Sequence, residues 1–176
     1  IREGLNDANI ELGLERGEAP DAMGTGLRFS HLMAIAPNAS SSIIMGNTSP
    51  SIEPYRANAY RQDTLSGSSL NKNKWLDKII RQKVQNDEEY NEIWSSIIAN
   101  DGSVQHLDIL DEFQKEVFKT SMEIDQRWVI DLAADRQEFI DQAQSLNVFF
   151  RPDANIKYLH AIHYMAWKKG LKTLYY

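Results

Sequence analysis

An α/β layout is predicted for this chain on three observations. A short, mostly apolar run over residues 29–36 leads into a turn of small hydroxyl residues, as a buried strand would. Two stripes of apolar residues at three- and four-residue spacing, one from Trp75 to Val84 and one from Tyr90 to Ile98, mark a helical middle section. Beyond them, β-branched and aromatic content at 145–150 and 171–176 brackets a helical pattern at 156–169, so the order is strand, helices, strand, helix, strand. No internal repeat and no linker interrupts it, and residues 1–176 read as one segment.

Taken in order, residues 5–16 read as a helix, with Leu5, Ala8, Ile10, Leu12 and Leu14 mixing helical and alternating spacing; Gly17 is its stop signal and Pro20 lies just beyond. Gly24 and Gly26 precede the first strand. Any helix after the hydroxyl turn must be short, because Asn47, Ser49, Pro50 and Pro54 follow Ile43, Ile44 and Met45 too closely for it to continue. Residues 55–74 are polar and read as an irregular surface excursion, with the 66–69 stretch Ser-Gly-Ser-Ser as its turn. The first middle stripe ends near Asn86 and the second near Asn100-Asp101-Gly102, which makes two packed helices with Trp75 and Trp94 filling the core between them. Asp111 is placed to cap a third helix, whose apolar face from Phe113 to Leu132 runs on or breaks near Thr120-Ser121. Pro152 stops the strand at 145–150, and Gly170 caps the last helix.

Composition narrows the function classes. A chain of 176 residues, 42% hydrophobic and 25% charged, has the make-up of a folded domain that buries roughly 70% of its unfolded surface. Its formal charge of −6 speaks against a general electrostatic hold on nucleic acid. No apolar run approaches the ~20 residues of a membrane span, and the start Ile1-Arg2-Glu3-Gly4 has no signal-peptide pattern, so the expected location is the cytoplasm, with no membrane partner. The first residue is not Met, which suggests a piece of something longer or a processed product. The chain has no cysteine, which removes disulfides and cysteine metal sites.

The segment Ala36-Pro37-Asn38-Ala39-Ser40-Ser41-Ser42 concentrates short side chains in a turn flanked by apolar runs. Short side chains let backbone N–H groups converge on an anion such as a phosphate. Taken with Ile140-Asp141-Gln142-Ala143-Gln144-Ser145-Leu146-Asn147 and with the ending Trp167-Lys168-Lys169-Gly170-Leu171-Lys172-Thr173-Leu174-Tyr175-Tyr176, in that order, it resembles the C-terminal part of the large, catalytic subunit of class I ribonucleotide reductase. The likeness runs from about Gly26 to Tyr176. It departs from the family pattern at Ile43, where relatives carry glutamine, and at Ser49-Pro50, which lengthens the following turn by one residue.

The resemblance implies the C-terminal portion of the ten-stranded α/β barrel of that enzyme, with a helical middle section, working in the reduction of ribonucleoside diphosphates by a radical mechanism. Pro37, Ala39, Ser40 and Ser41 would form the loop for the substrate diphosphate. Tyr175 and Tyr176 would be the adjacent tyrosines that relay the radical, since a phenol can lose an electron and a proton together. The thiols of the reaction would come from the N-terminal portion of the large subunit, on the same or a separate chain, and the isolated chain is expected to be inactive. No cofactor is expected in this chain; the radical cofactor, a metal centre, would sit in the small subunit, and thioredoxin or glutaredoxin would reduce the complete enzyme. The alternatives are a non-catalytic remnant or interaction module that keeps only the fold, and a stand-alone nucleotide-binding domain.

Other chemistry-bearing residues have plainer readings. His160 and His163 have a metal-compatible spacing but no third ligand near in sequence, which favours core or interface histidines and no metal. Asp135 and Asp141, like Glu88 and Glu89, are explained by solvated helix faces.

Overall fold

The computed structural model describes residues 1–46, 49–64 and 67–174. The chain forms two compact units, one of Ile1–Pro37, Arg127–Val148 and Asn155–Tyr176, the other of Asn38–Gln126 and Phe149–Ala154.

The first unit opens with α1, Arg2–Arg16, which ends at Gly17 with φ 80°, a conformation that suits glycine at a helix stop. The buried face of α1 is not apolar: Asn9 and Gly13, one turn apart, are its buried residues, while Ile10 and Leu14 are exposed. Gly13 is there because the backbone passes close by, and an ideal Cβ would stand 2.1 Å from the Gly26 carbonyl oxygen. After a 3₁₀ turn at Pro20–Ala22 the chain runs extended towards Pro37. The unit is completed by α6, Gln126–Gln137, and α7, Ile156–Lys168, whose Ile130, Ala133, Ile162 and Ala166 are buried. Asn155 caps α7 by accepting from the Lys157 N–H, and Gly170, with φ 81°, follows its end as expected.

The second unit begins with a short helix, α2, Ala39–Ile44. Next comes an antiparallel hairpin of β1, Ala59–Thr64, and β2, Gly67–Lys72, in register from Ala59 opposite Lys72 to Thr64 opposite Gly67. This corrects the expectation of an irregular excursion. The stretch is polar because most of the hairpin's described side chains face water, yet its backbone groups satisfy one another across the ladder. Two helices follow, α3, Lys74–Lys83, and α4, Asp87–Ala99, capped by the Asn73 and Asn86 side chains. Leu76, Ile80, Trp94, Ile97 and Val104 form the centre of the core. Trp94 is 2% exposed, but Trp75 is 57% exposed, against the expectation that both fill the core. Trp75 lies one position before Leu76, on the other side of the helix stripe, and its ring is covered by the Lys78 ammonium, 4.6 Å from its centroid.

The third helical pattern breaks into α5, Glu112–Val117, and α6, with Thr120 and Ser121 in the gap. Asp111 caps α5 in a full capping box, accepting from the Gln114 N–H at 2.8 Å while the Gln114 side chain accepts from the Asp111 N–H. The break is held by the Glu123 carboxylate, which accepts from the Thr120 N–H, and by buried Gln126, whose amide donates to the Ser121 carbonyl and accepts from the Phe149 N–H. Buried Asn58 is a second knot. Its side chain donates to the Gly102 and Phe118 carbonyls at 3.0 and 2.7 Å and accepts from Asn73.

The expected strands at 29–36 and 145–150 are extended segments whose regular ladder shrinks to one parallel bridge, Ile35 with Gln144. Residues 171–174 form no strand; the Leu171 N–H instead donates back to the Ala166 carbonyl at the end of α7. No helix among the described residues is long and apolar enough to cross a membrane.

Candidate functional site

Pro37 is the last residue of the first unit and Asn38 the first of the second. Asn38 donates its N–H to the Pro50 carbonyl at 2.6 Å and accepts from the Ser42 N–H at 2.8 Å, which fixes the start of α2. Ser42 is buried and turns its hydroxyl inward onto the Ala39 carbonyl, 2.8 Å away. Ala39, Ser40 and Ser41 are left exposed on the first turn, and the N–H groups of a first helical turn have no acceptor within the helix. Pro37 is partly buried. Three of the four residues expected to meet a phosphate, Ala39, Ser40 and Ser41, are therefore consecutive, small and open to solvent. Ile43, Ile44 and Met45, on the next turn, are exposed as well.

The chain arriving at this loop is held by side chains as much as by backbone. At Phe29 both main-chain groups are taken by Asn9 of α1: its amide donates to the Phe29 carbonyl at 2.9 Å and its oxygen accepts from the Phe29 N–H at 2.7 Å. Three residues on, Asp141 Oδ2 accepts from the Leu32 N–H at 2.6 Å, from the Met33 N–H at 3.2 Å and from Arg2 Nη1 at 2.6 Å. Backbone pairing then takes over. Gln142 donates to the Met33 carbonyl, Ile35 donates to Ala143, and Ser145 donates to the Ile35 carbonyl at 2.7 Å. Buried Gln144 ties this parallel pair to α6, its amide donating to the Ala133 carbonyl and its oxygen accepting from Arg136.

Asp141 thus corrects the reading of a solvated helix face. It lies in the turn after α6, its side chain 19% exposed, and the Arg2 guanidinium together with the two amides holds its carboxyl far below the ordinary carboxylate range against the opposing effect of burial. Neither Asp141 nor Asn9 was singled out chemically by the sequence. The available signal was an acidic residue shortly before a predicted strand and an amide residue within a predicted helix, which also describes many surface positions. Asp135 is exposed, as expected, and Glu88 and Glu89 occupy the first turn of α4, where negative charge suits the helix dipole.

Tyr175 and Tyr176 lie outside the described residues. The chain leading to them leaves α7 beside α6, where Lys169 pairs with Asp131 at 2.8 Å, and that carboxylate raises the pKa of the Lys169 ammonium. His160 and His163 are exposed on α7 rather than in a core, His160 stacking on Tyr164 at 6.3 Å between centroids. Among the described residues, no three of His, Cys, Asp or Glu gather in a metal-binding group.

Comparison with known proteins places this arrangement. Residues 19–176 match the family model described as "Ribonucleotide reductase, barrel domain". The whole chain is 58% identical to the ribonucleoside-diphosphate reductase large subunit of Invertebrate iridescent virus 6, covering 18% of that protein. It is 57% identical to that of Invertebrate iridescent virus 3, covering 28%. Among solved structures, the Actinobacillus ureae class Id ribonucleotide reductase alpha subunit superposes with a TM-score of 0.84 at 42% identity, over 99% of this chain and 31% of that one. The chain therefore spans less than a third of the length of these relatives, and its mixed helices and strands are a partial α/β barrel. It belongs to the ribonucleotide reductase barrel-domain family.

Proposed function

We propose that this segment serves a ribonucleoside-diphosphate reductase, supplying the loop that takes the substrate diphosphate and the final tyrosines of the radical path. The observation that carries this reading is the exposed run Ala39-Ser40-Ser41 at the start of α2, with Ser42 turned inward beneath it, in a chain of this family. Backbone N–H groups and two hydroxyls there would bind the diphosphate with Pro37 fixing the approach. Hydrogen bonds to a charged group contribute ~1.5–3 kcal/mol each, so three or four hold a diphosphate without a lysine in the loop. That is how an acidic chain binds an anionic substrate.

Tyr175 and Tyr176 would pass the radical from the small subunit towards an active-site cysteine contributed by the remainder of the large subunit. The chain has no cysteine of its own, so thiol chemistry, closure of the barrel and reduction by thioredoxin or glutaredoxin belong to that remainder. The small subunit would carry the metal centre that generates the radical.

The test of the loop is binding of a ribonucleoside diphosphate by the complete large subunit with Ser40→Ala and Ser41→Ala introduced together. Affinity is expected to fall by about tenfold or more, since two charge-assisted hydrogen bonds are lost and each tenfold is ~1.4 kcal/mol. Wild-type affinity in the double variant would place the diphosphate elsewhere.

A further inference from the structure

We propose that Asp141 is the positioning residue of the diphosphate loop, acting through the strand that delivers it; the proposal rests on the loop reading given above. Between Phe29 and Ile35 the chain is fixed from one side at successive points, by Asn9, by Asp141, and by the parallel pairing with residues 142–145. In that series Asp141 stands where the next backbone acceptor of a longer ladder would be, and a side-chain oxygen does the work of a carbonyl.

A carboxylate suits the place better than a carbonyl would. Oδ2 alone takes three donors, the Leu32 and Met33 N–H groups and the Arg2 guanidinium, and a full negative charge supports three contacts, two of them short, that a neutral oxygen supports poorly. Arg2 is on α1 and Asp141 follows α6, so one oxygen fixes the strand to both helices. The next pairing, at Ile35, is two residues before Pro37. A strand that slips by one residue turns every side chain to the opposite face, so holding its register also sets how Pro37, the first residue of the loop, is presented.

The consequence is preorganisation. With the anchor in place the loop's donors need little ordering when a diphosphate arrives. Without it, two N–H groups and a guanidinium lose their acceptor, the strand loosens, and ordering the loop is charged against binding. The role assigned to Asp141 concerns the diphosphate loop, so the effect is expected on diphosphate binding and on KM rather than on turnover at saturation.

The experiment uses the complete large subunit with its small subunit, with CDP and cytidine as probes. Asp141→Ala, Asp141→Asn and the Ser40→Ala/Ser41→Ala double variant are compared with wild type in binding, KM and kcat. Asp141→Ala is expected to weaken CDP binding and raise its KM about tenfold, with cytidine binding and kcat within about twofold of wild type. Asp141→Asn, whose neutral amide oxygen still accepts from the Leu32 and Met33 N–H groups but holds the Arg2 guanidinium less well, is expected to recover part of the loss. Should Asp141→Ala not fold, Arg2→Met, which removes only the ion pair, is read in its place, with an expected rise in CDP KM of about threefold. Unchanged CDP affinity in the Asp141 variants while the serine variant is weakened overturns the positioning role and leaves the loop standing. Equal loss of CDP and cytidine shows a general structural role and overturns it too. If the serine variant binds CDP like wild type, the loop reading itself fails and takes this proposal with it.

Discussion

A single carboxylate at position 141 collects an arginine and two backbone amides, and its titration has a readable consequence. Its folded pKa is depressed, so the pairing contributes in full above the unfolded carboxylate value, ~3.9, and is lost as pH falls through the lower folded value. The difference in thermal midpoint between wild type and Asp141→Asn is therefore expected to be greatest near neutral pH and to narrow as the pH drops below about 4. Scanning calorimetry at several pH values checks this, and a gap that widens in acid would contradict it. Asn9 and Gly13 carry the same lesson at the residue scale. Both are buried on α1 for reasons that lie outside that helix, the first to bracket Phe29 and the second to let the Gly26 carbonyl pass. Apolar periodicity finds faces that pack on side chains, and this face packs on backbone.

Where an element packs by side chains, the sequence was a good guide to it. Both middle helices fall where their apolar stripes lie, and Asp111, Gly17 and Gly170 act as the boundaries their chemistry suits. The misplacement is instructive: Trp75 and Trp94 look alike in sequence, but only Trp94 falls on the buried side of its helix, 6.4 Å from Tyr90 in an edge-on contact. Trp94→Ala is expected to cost about 3–5 kcal/mol of stability, the range for emptying a core aromatic site, and Trp75→Ala less than about 1. Denaturant unfolding of the two variants measures this, and equal costs would place Trp75 in the core after all. The hairpin escaped notice because polar alternation on an exposed ladder gives no burial signal. The extended segments at 29–36 and 145–150 were legible from their apolar, β-branched and aromatic content, yet their hold on the chain comes from Asn9, Asp141 and Gln144, polar residues whose partners lie up to 139 positions away.

At the scale of the molecule, the chain forms two compact units and spans less than a third of the length of the relatives it matches. The fold family was readable because three separated segments, around Ser40, around Asp141 and at the C-terminal tyrosines, occur together and in order; any one of them alone is a common turn, helix end or aromatic pair. Under the proposed function, what each does chemically depends on polypeptide beyond this chain, which has no cysteine of its own. The account therefore turns on reconstitution. The decisive measurement is ribonucleoside diphosphate reduction by this chain combined with the N-terminal portion of a matching large subunit and the small subunit, wild type against Tyr176→Phe. Turnover confined to the complete mixture and abolished by Tyr176→Phe is the predicted result. Full turnover in the Tyr176→Phe mixture, or none in a wild-type mixture whose parts are shown to associate, would contradict the account.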